Sequence, residues 1–140
     1  MHFDAHVWGR FAYREVPGSD GQAFLAQDNY HFTNVLTNRD TGDWFLLRGQ
    51  GVLKEKTATQ IAGDVWAFTS IEAGQPFVVE DSDGNVIVRD RGMLETRVVI
   101  DTLGDSELGG IELKFELLAD HGSHPGFYRD FCDIASELIG

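Results

Sequence analysis

Apolar and polar residues alternate with a period of two along most of this chain, and this alternation limits its fold more than any other feature. From Phe3 to Tyr13 every second residue is apolar or small, and the same pattern returns from Ile111 to Ala119. A period of two places successive side chains on opposite faces of an extended strand, whereas a helical face needs a period of 3.6. The pattern therefore predicts a β protein with half-buried strands.

Turn sequences separate the alternating segments. Residues 17–21, 38–43 and 81–85 combine proline, glycine, asparagine and aspartate, and Asp83-Gly84 is the strongest hairpin signal. Gly49 and Gly51 suggest a bulge or a bend within a strand. An acidic loop is expected at 103–110. Strands are expected at 2–14, 23–36, 44–55, 65–71, 77–80, 86–90, 93–101 and 111–119.

The periodicity changes only near the end of the chain. Phe127, Phe131, Ile134 and Leu138 follow one another at spacings of four, three and four, which predicts one apolar helix stripe. No helical pattern lies between the strands. We therefore expect one domain over residues 1–140: an antiparallel meander of seven or eight strands, closed as a β-barrel, with a helical cap at about 126–139. A β-sandwich is the alternative.

The net charge narrows the range of ligands. The chain carries 11 basic and 23 acidic residues, a net charge of −12, and only three of the bases are lysines. Such a chain neutralises phosphates poorly, so nucleic acid and membrane insertion are not expected. A hydrophobic small molecule, neutral or cationic, is the expected partner, and a homodimer stays open. Residues 101–140 hold nine acids against Lys114 and Arg129, so the acidity is concentrated near the end of the sequence.

The termini and the single cysteine set further expectations. The chain begins Met1-His2-Phe3-Asp4 without a secretory signal, so as given we expect a soluble, cytoplasmic protein; secretion would require a signal peptide that was removed. Cys132 has no second cysteine to pair with. Two carboxylates flank it, which would raise a thiol pKa, so a half-buried helical thiol is expected rather than a nucleophile.

Three polar clusters are candidate chemical sites. His2, Asp4 and His6 share one strand face, but their spacing is too wide for three short metal bonds, and a solvated face is favoured. The segment 81–85 resembles the start of a calcium loop, yet Val86 stands where that loop needs glycine, so a hairpin turn is favoured. His121 and His124 could transfer protons near a cavity mouth, although solvent-facing histidines are more common. No metal and no cofactor are expected.

Polar residues interrupt the apolar faces of two predicted strands. Such faces suit a cavity in which a few polar groups orient a ligand within an apolar wall. They suit equally an outer surface on which arginine and glutamate pair across strands. On the cavity interpretation the candidate catalytic residues are Tyr30, Arg48, Glu95 and Arg97, and the candidate substrate-binding residues are Trp44, Trp66, Phe68 and Phe115.

Two weak resemblances accompany these patterns. The stretch from Asn29 to Asp105 and the terminal Arg129-Asp130-Phe131-Cys132 resemble small uncharacterised secreted bacterial β-proteins, in which a late cysteine pairs with one before the first strand. That early cysteine is absent from this sequence. In size and strand pattern the chain also resembles calycin and allene-oxide-cyclase-like barrels, which implies a cofactor-free cyclase of natural-product pathways. No residue motif carries their catalytic residues over, and architecture alone does not imply activity.

The sequence supports hypotheses of different classes. The first is a barrel that encloses a hydrophobic small molecule and cyclises or isomerises it without a cofactor, as a pericyclase does, by shaping it and polarising a carbonyl. The alternative is a secreted non-enzymatic β-domain that acts by surface binding, which predicts that Trp8, Trp44 or Trp66 is exposed. A third is a hydrolase or isomerase that uses His121 or His124 with a carboxylate.

Overall fold

The computed structural model describes residues 1–104 and 109–140. The predicted all-β class, antiparallel arrangement and short C-terminal helix are confirmed. Residues 105–108 of the predicted acidic loop lie outside the described part. The elements are β1 (His2–Glu15), β2 (Phe24–Thr37), β3 (Trp44–Ala62), β4 (Val65–Glu80), β5 (Val86–Arg89), β6 (Arg91–Asp101), β7 (Ile111–Ser123) and α1 (Phe131–Ile139).

The strands form one antiparallel sheet. Its order is β1-β2-β3-β4-β6-β7, and β5 pairs with the free end of β4. The strands β1 and β7 are its two edges, and within residues 1–104 and 109–140 no pairing joins them to each other. Because six strands alternate in direction across the sheet, β1 and β7 run antiparallel to each other.

Three strands are markedly longer than the sequence indicated, and one of them, β7, continues beyond Ala119 to Ser123. β3 continues beyond Glu55 to Ala62, and β4 joins the two segments expected at 65–71 and 77–80 into one strand. The pairing of β3 with β4 shifts register between Arg48 and Gln50, which confirms the predicted bulge. This bulge and Gly74, at φ 135°, take up the irregularity before Pro76, so the ladder continues on both sides of it.

The register defines two faces, because directly paired residues of an antiparallel sheet project to the same side. Tyr30 pairs with Gly51, and Gly51 pairs with Gly74. Their side is called the inner face here, and the opposite side the outer face. The inner face carries Val7, Phe11, Tyr30, Phe32, Phe45, Glu55, Phe68, Glu72, Val98 and Phe115; the outer face carries Trp8, His31, Trp44, Arg48, Gln50, Gln75, Glu95 and Arg97.

Helix α1 covers one end of the inner face. Ile134, Ala135 and Ile139 pack on a fully buried Phe45 and on Val79. The Asp130 carboxylate caps the helix by accepting a hydrogen bond from the Cys132 N–H at 2.7 Å. The packed residues Phe45, Val79, Ile134, Ala135 and Ile139 are called the lower cluster. The predicted helical stripe is confirmed for Phe131, Ile134 and Leu138, whereas Phe127 is exposed before the helix, which begins at Phe131 rather than near 126.

The connection between β1 and β2 covers the other end of the inner face. β2 separates from β3 beyond the Gln27–Lys54 pair, and the chain before it crosses over β4. Ala23 packs there against Trp66 and Phe68, with Val16 and Ile100 around them. This is the upper cluster. Within the described residues no helix has the length and apolar character that crossing a bilayer requires.

Candidate functional site

A cleft of about 190 Å³ opens on the inner face below the upper cluster. Five elements of the sheet contribute to it, together with Gly109 at the approach to β7. Its walls are mainly apolar, and Glu55 is its ionisable group. Small-molecule sites are commonly concave and apolar with few polar groups. The lining residues are Phe11, Gln22, Phe24, Ala26, Glu55, Phe68, Ile100, Thr102 and Gly109.

Glu55 lies where β2 and β3 separate. Its Oε2 accepts a hydrogen bond from the Ala26 N–H at 2.7 Å, which satisfies a backbone donor that has left the ladder. Burial raises the pKa of the Glu55 carboxyl, and this hydrogen bond only partly opposes the rise. A carboxyl with a raised pKa in a cleft is a candidate group for proton transfer.

Tyr30 and Glu72 form a second polar group on the inner face. The Tyr30 hydroxyl donates to Glu72 Oε1 at 2.6 Å. Burial, followed by the hydrogen bond to Glu72, raises the pKa of the Tyr30 phenol above its ordinary value, so it stays protonated at physiological pH. A Cβ added at Gly51 would lie 2.9 Å from the Tyr30 hydroxyl. Glycine at position 51 therefore makes room for the phenol on the sheet.

The register places these polar side chains near one another. Glu55 pairs with Ser70, and Glu72 pairs with Leu53, two residues before Glu55. Diagonal neighbours of this kind lie roughly 7–8 Å apart at their Cα atoms. Asp28 pairs with Leu53 from the other side and also acts to raise the Tyr30 pKa. The middle of the inner face is thus an acidic patch beside an apolar cleft.

Four of the predicted residues lie on this inner face. Tyr30 forms part of the polar group just described, and Phe68 lines the cleft. Trp66 is buried in the upper cluster, where its indole N–H donates to Gln22 at 3.3 Å. Phe115 is exposed on the edge strand β7, in register with Val98 and, through it, with Phe68.

The other four predicted residues lie on the outer face, so the structure does not bring them together with Tyr30. Trp44 is exposed beside the turn that precedes β3. Cross-strand ion pairs engage the remaining three, as the surface interpretation of these faces expects. Arg48 pairs with Glu80, Lys56 with Glu95 at 3.3 Å, and Arg97 with Glu116 at 2.8 Å.

The histidines before α1 differ from each other. His121 is exposed, whereas His124 is buried and its Nδ1 lies 2.6 Å from Asp120 Oδ1. The Tyr128 hydroxyl donates to the second Asp120 oxygen at 2.8 Å, and these two partners lower the Asp120 pKa. The buried Asp90 carboxylate accepts from the Gly126 N–H. This network attaches the connection before α1 to the sheet.

The remaining polar motifs have structural roles. Asp81 accepts hydrogen bonds from the backbone of Asp83 and Asn85, so the predicted hairpin turn is confirmed. His2, Asp4 and His6 lie exposed on β1. Within residues 1–104 and 109–140 no three histidine, cysteine or carboxylate side chains form a group that could hold a metal ion. Cys132 is exposed rather than half-buried, because it lies on the solvent side of the first turn of α1.

Glu55 and Glu72 are the functional candidates that sequence reasoning missed. Both stand where an irregularity was expected to end a strand, Glu55 at the end of the predicted 44–55 segment and Glu72 before Gly74. A signal was present nonetheless. Glu72 stands between Ile71 and Ala73, and continuing the two-residue alternation through the glycines places Glu55 on the strand face of Gly51 and Glu72 on that of Gly74; the pairing of the strands is then needed to bring Glu72 to Tyr30.

The chain matches no family model, no curated protein and no solved structure. The case for a function therefore rests on the geometry of the two faces.

Proposed function

We propose that this protein binds an apolar small molecule in the inner-face cleft of a β-barrel and isomerises or cyclises it without a cofactor. One observation carries the proposal: a carboxyl with a raised pKa, that of Glu55, lies in a cleft whose walls are mainly phenylalanine and isoleucine. An apolar wall supplies binding energy in proportion to the area buried. A single polar group in such a wall orients the ligand.

Closure of the barrel through β1 and β7 is part of this proposal. The two edges run antiparallel, and both turn apolar side chains such as Val7 and Phe115 to the inner face. Phe11 of β1 lines the same cleft as Gly109, just before β7, so the edges approach each other at the upper end. Pairing them would remove two exposed edges, which otherwise invite aggregation.

The outer face of the two edges brings opposite charges within reach in this arrangement. Arg10 and Arg14 lie on the outer face in the second half of β1, and Glu116 lies on the outer face in the first half of β7, beside Lys114. In an antiparallel pairing these halves lie side by side. Pairing of β1 with β7 within one chain gives a monomer. A dimer in which β1 of one copy pairs with β7 of another would use the same charges, and sedimentation of the purified protein distinguishes the two arrangements.

The proposed chemistry needs no second substrate, because the product is an isomer of the ligand. The Glu55 carboxyl would protonate or hydrogen-bond a carbonyl oxygen of the bound ligand and recover its proton afterwards. Tyr30 lies on the same face outside the residues that line the cleft, and its hydroxyl would have to release Glu72 before it could donate to a ligand. The phenylalanine walls would hold a flexible chain folded for ring closure, which lowers the entropic part of the barrier.

Binding of a neutral apolar dye, Nile red, tests the proposal. The chain offers a matched pair of variants on neighbouring strands. Ala26→Phe fills the cleft from β2, whereas Ala12→Phe adds the same ring to the outer face of β1. We expect saturable binding to the wild type and to Ala12→Phe, and at least tenfold weaker binding to Ala26→Phe. Circular dichroism checks that both variants are folded.

The proposal fails if the wild type shows no saturable dye fluorescence, or if both variants bind as the wild type does. Mass spectrometry of the protein under native conditions, after purification from its own cells, would then identify any retained ligand. A retained apolar molecule that is released by Ala26→Phe but not by Ala12→Phe supports the cleft. A polar ligand unaffected by either variant contradicts it.

A second candidate function, surface binding by a non-enzymatic β-domain, is favoured by the exposed tryptophans. Trp8 and Trp44 are 44% and 41% exposed on the outer face, while Trp66 is buried. Exposed indoles on a flat sheet are typical of contact surfaces. This candidate does not need the inner-face cleft. A protein that fails the dye experiment but binds a partner through the outer face would support it.

A further inference from the structure

Four side chains of four adjacent strands form a straight row across the outer face. Trp8 pairs with His31, His31 with Gln50, and Gln50 with Gln75. Direct register partners project to the same side, so the row runs perpendicular to the strands. The row cannot be recognised in the sequence, because its four residues lie far apart along the chain, one on each of β1, β2, β3 and β4. We call it the Trp8–Gln75 row.

One half of the row is aromatic. The rings of Trp8 and His31 have centroids 4.0 Å apart, and His6 extends the surface along β1 with its centroid 4.8 Å from Trp8. Trp8 nevertheless keeps 44% of its surface open. An exposed ring surface supported from beside is a rigid platform, since stacked rings lose little further freedom when a ligand binds.

The other half of the row is polar. Gln50 and Gln75 present amides, each with two N–H donors and a carbonyl acceptor. Within residues 1–104 and 109–140 neither amide side chain takes part in a hydrogen bond, and no ion pair engages Arg91 beside them. These groups are exposed or only partly buried. Their hydrogen-bonding capacity is available to a ligand.

A hollow of about 590 Å³ lies over this polar half. Gly51 and Gly74, paired with each other next to Gln50 and Gln75, contribute backbone to its lining. A Cβ at Gly74 would lie 2.8 Å from the Cα of Gly51, so the two backbones approach too closely for a side chain there. Arg91 and His31 also line the hollow, and among the described residues no carboxylate does.

We infer that the Trp8–Gln75 row is a binding site for a neutral saccharide. The apolar C–H face of a pyranose ring suits an indole platform, and adjacent hydroxyls suit the paired donors and acceptors of amides and the fork of a guanidinium. Among the described residues that line the hollow, Val52 is the single aliphatic side chain and Tyr30 the single phenol, so an apolar peptide would find few apolar contacts there. The inference specifies the surface-binding candidate and is independent of the inner-face cleft.

Titration with cellohexaose, maltohexaose and chitohexaose, followed by isothermal calorimetry, tests the inference. The chain supplies a matched control, because Trp44 is an outer-face tryptophan of similar exposure that lies outside the row. We expect at least one of the three sugars to bind the wild type and Trp44→Ala alike. Trp8→Ala and Gln75→Ala should each weaken that binding at least tenfold.

The inference is overturned if none of the three sugars binds at millimolar concentration, or if Trp44→Ala weakens binding as much as Trp8→Ala does. Nile red binding is measured on the same variants. A Trp8→Ala protein that loses sugar binding but still binds the dye places the two sites on separate faces. Loss of both in Trp8→Ala would mean that the variant is misfolded, and Gln75→Ala then decides.

Discussion

The two faces of the sheet arrange their charged groups differently. On the outer face, arginine and lysine side chains pair with glutamates across strands, as Arg97 does with Glu116. On the inner face, Asp28, Glu55 and Glu72 lie among aromatic residues, and the basic residues of β3 and β6 project to the other side. Among the described residues, outer-face glutamates form ion pairs with bases, whereas these three inner-face acids do not.

This difference appears in the pKa values of two glutamates. Lys114 and Arg97 lower the pKa of Glu116 by hydrogen bonding to its carboxylate. Burial raises the pKa of Glu55. A carboxylate held by bases is fixed in its charged form, whereas a desolvated carboxyl is closer to exchanging a proton. This contrast is the basis for proposing proton chemistry on the inner face and recognition by exposed groups on the outer face.

The largest expected effect on stability distinguishes two consecutive residues, Trp44 and Phe45. Trp44 points outward and is 41% exposed, while Phe45 points inward and is fully buried. We expect Phe45→Ala to lower the free energy of unfolding by about 3–5 kcal/mol, because it leaves a cavity under α1. Trp44→Ala should change it by less than about 1 kcal/mol. Urea denaturation measures both, and equal losses would contradict the assignment of faces.

The same pair shows how far the sequence could predict the fold. Alternation located most strands, and Asp83-Gly84 and residues 38–43 located two hairpins, since turn chemistry acts over a few residues. Alternation also separates each strand into two faces. It does not say which face of a strand that is apolar on both sides will be covered, because that depends on where α1 and the β1–β2 connection pack.

The candidate site depended on register, which a single strand does not encode. Arg48 and Arg97 interrupt apolar faces just as cavity residues would, and only the partner strands reveal their ion pairs. Tyr30 could be selected from its own strand. Its partner Glu72 could not, because the two are 42 residues apart and meet through the pairing of β2, β3 and β4.

The second test compares one polar pair from each face. Tyr30→Phe removes the donor to a partly buried Glu72, and we expect a loss of about 1–3 kcal/mol, typical of a hydrogen bond to a charged group. Arg97→Gln breaks an exposed pair and should cost at most about 1 kcal/mol. Repeating both denaturations in 1 M NaCl should shrink only the Arg97 effect. A salt-sensitive Tyr30 effect would argue against a sheltered inner face.

The third test concerns the helix that covers the lower cluster. Asp130→Ala removes the carboxylate that caps α1, and we expect a loss of about 1 kcal/mol. Asp133→Ala is the control, because Asp133 lies in the first turn without being the cap residue. Hydrogen exchange should show faster exchange of the α1 amides in Asp130→Ala than in the control. Exchange that spreads evenly over the whole sheet would instead mean that α1 and the sheet unfold as one unit.

The smallest effect, and the most specific, is the pH dependence of the two glutamates. The Glu55 pKa is raised on folding, so Glu55 favours the folded state below its unfolded pKa, and that contribution is lost as pH rises through the folded pKa. Glu55→Gln should therefore melt like the wild type at pH 4 and at a slightly higher temperature at pH 7.

The Glu116 pKa is lowered, so its contribution is present at pH 7 and lost as pH falls below the unfolded pKa. Glu116→Gln should melt at a slightly lower temperature than the wild type at pH 7, with a difference that shrinks on acidification. Melting temperatures of the three proteins between pH 3 and pH 8 measure this opposition in sign. If the two variants instead shift in the same direction at pH 7, the inner carboxyl is as well solvated or as well paired as the outer one.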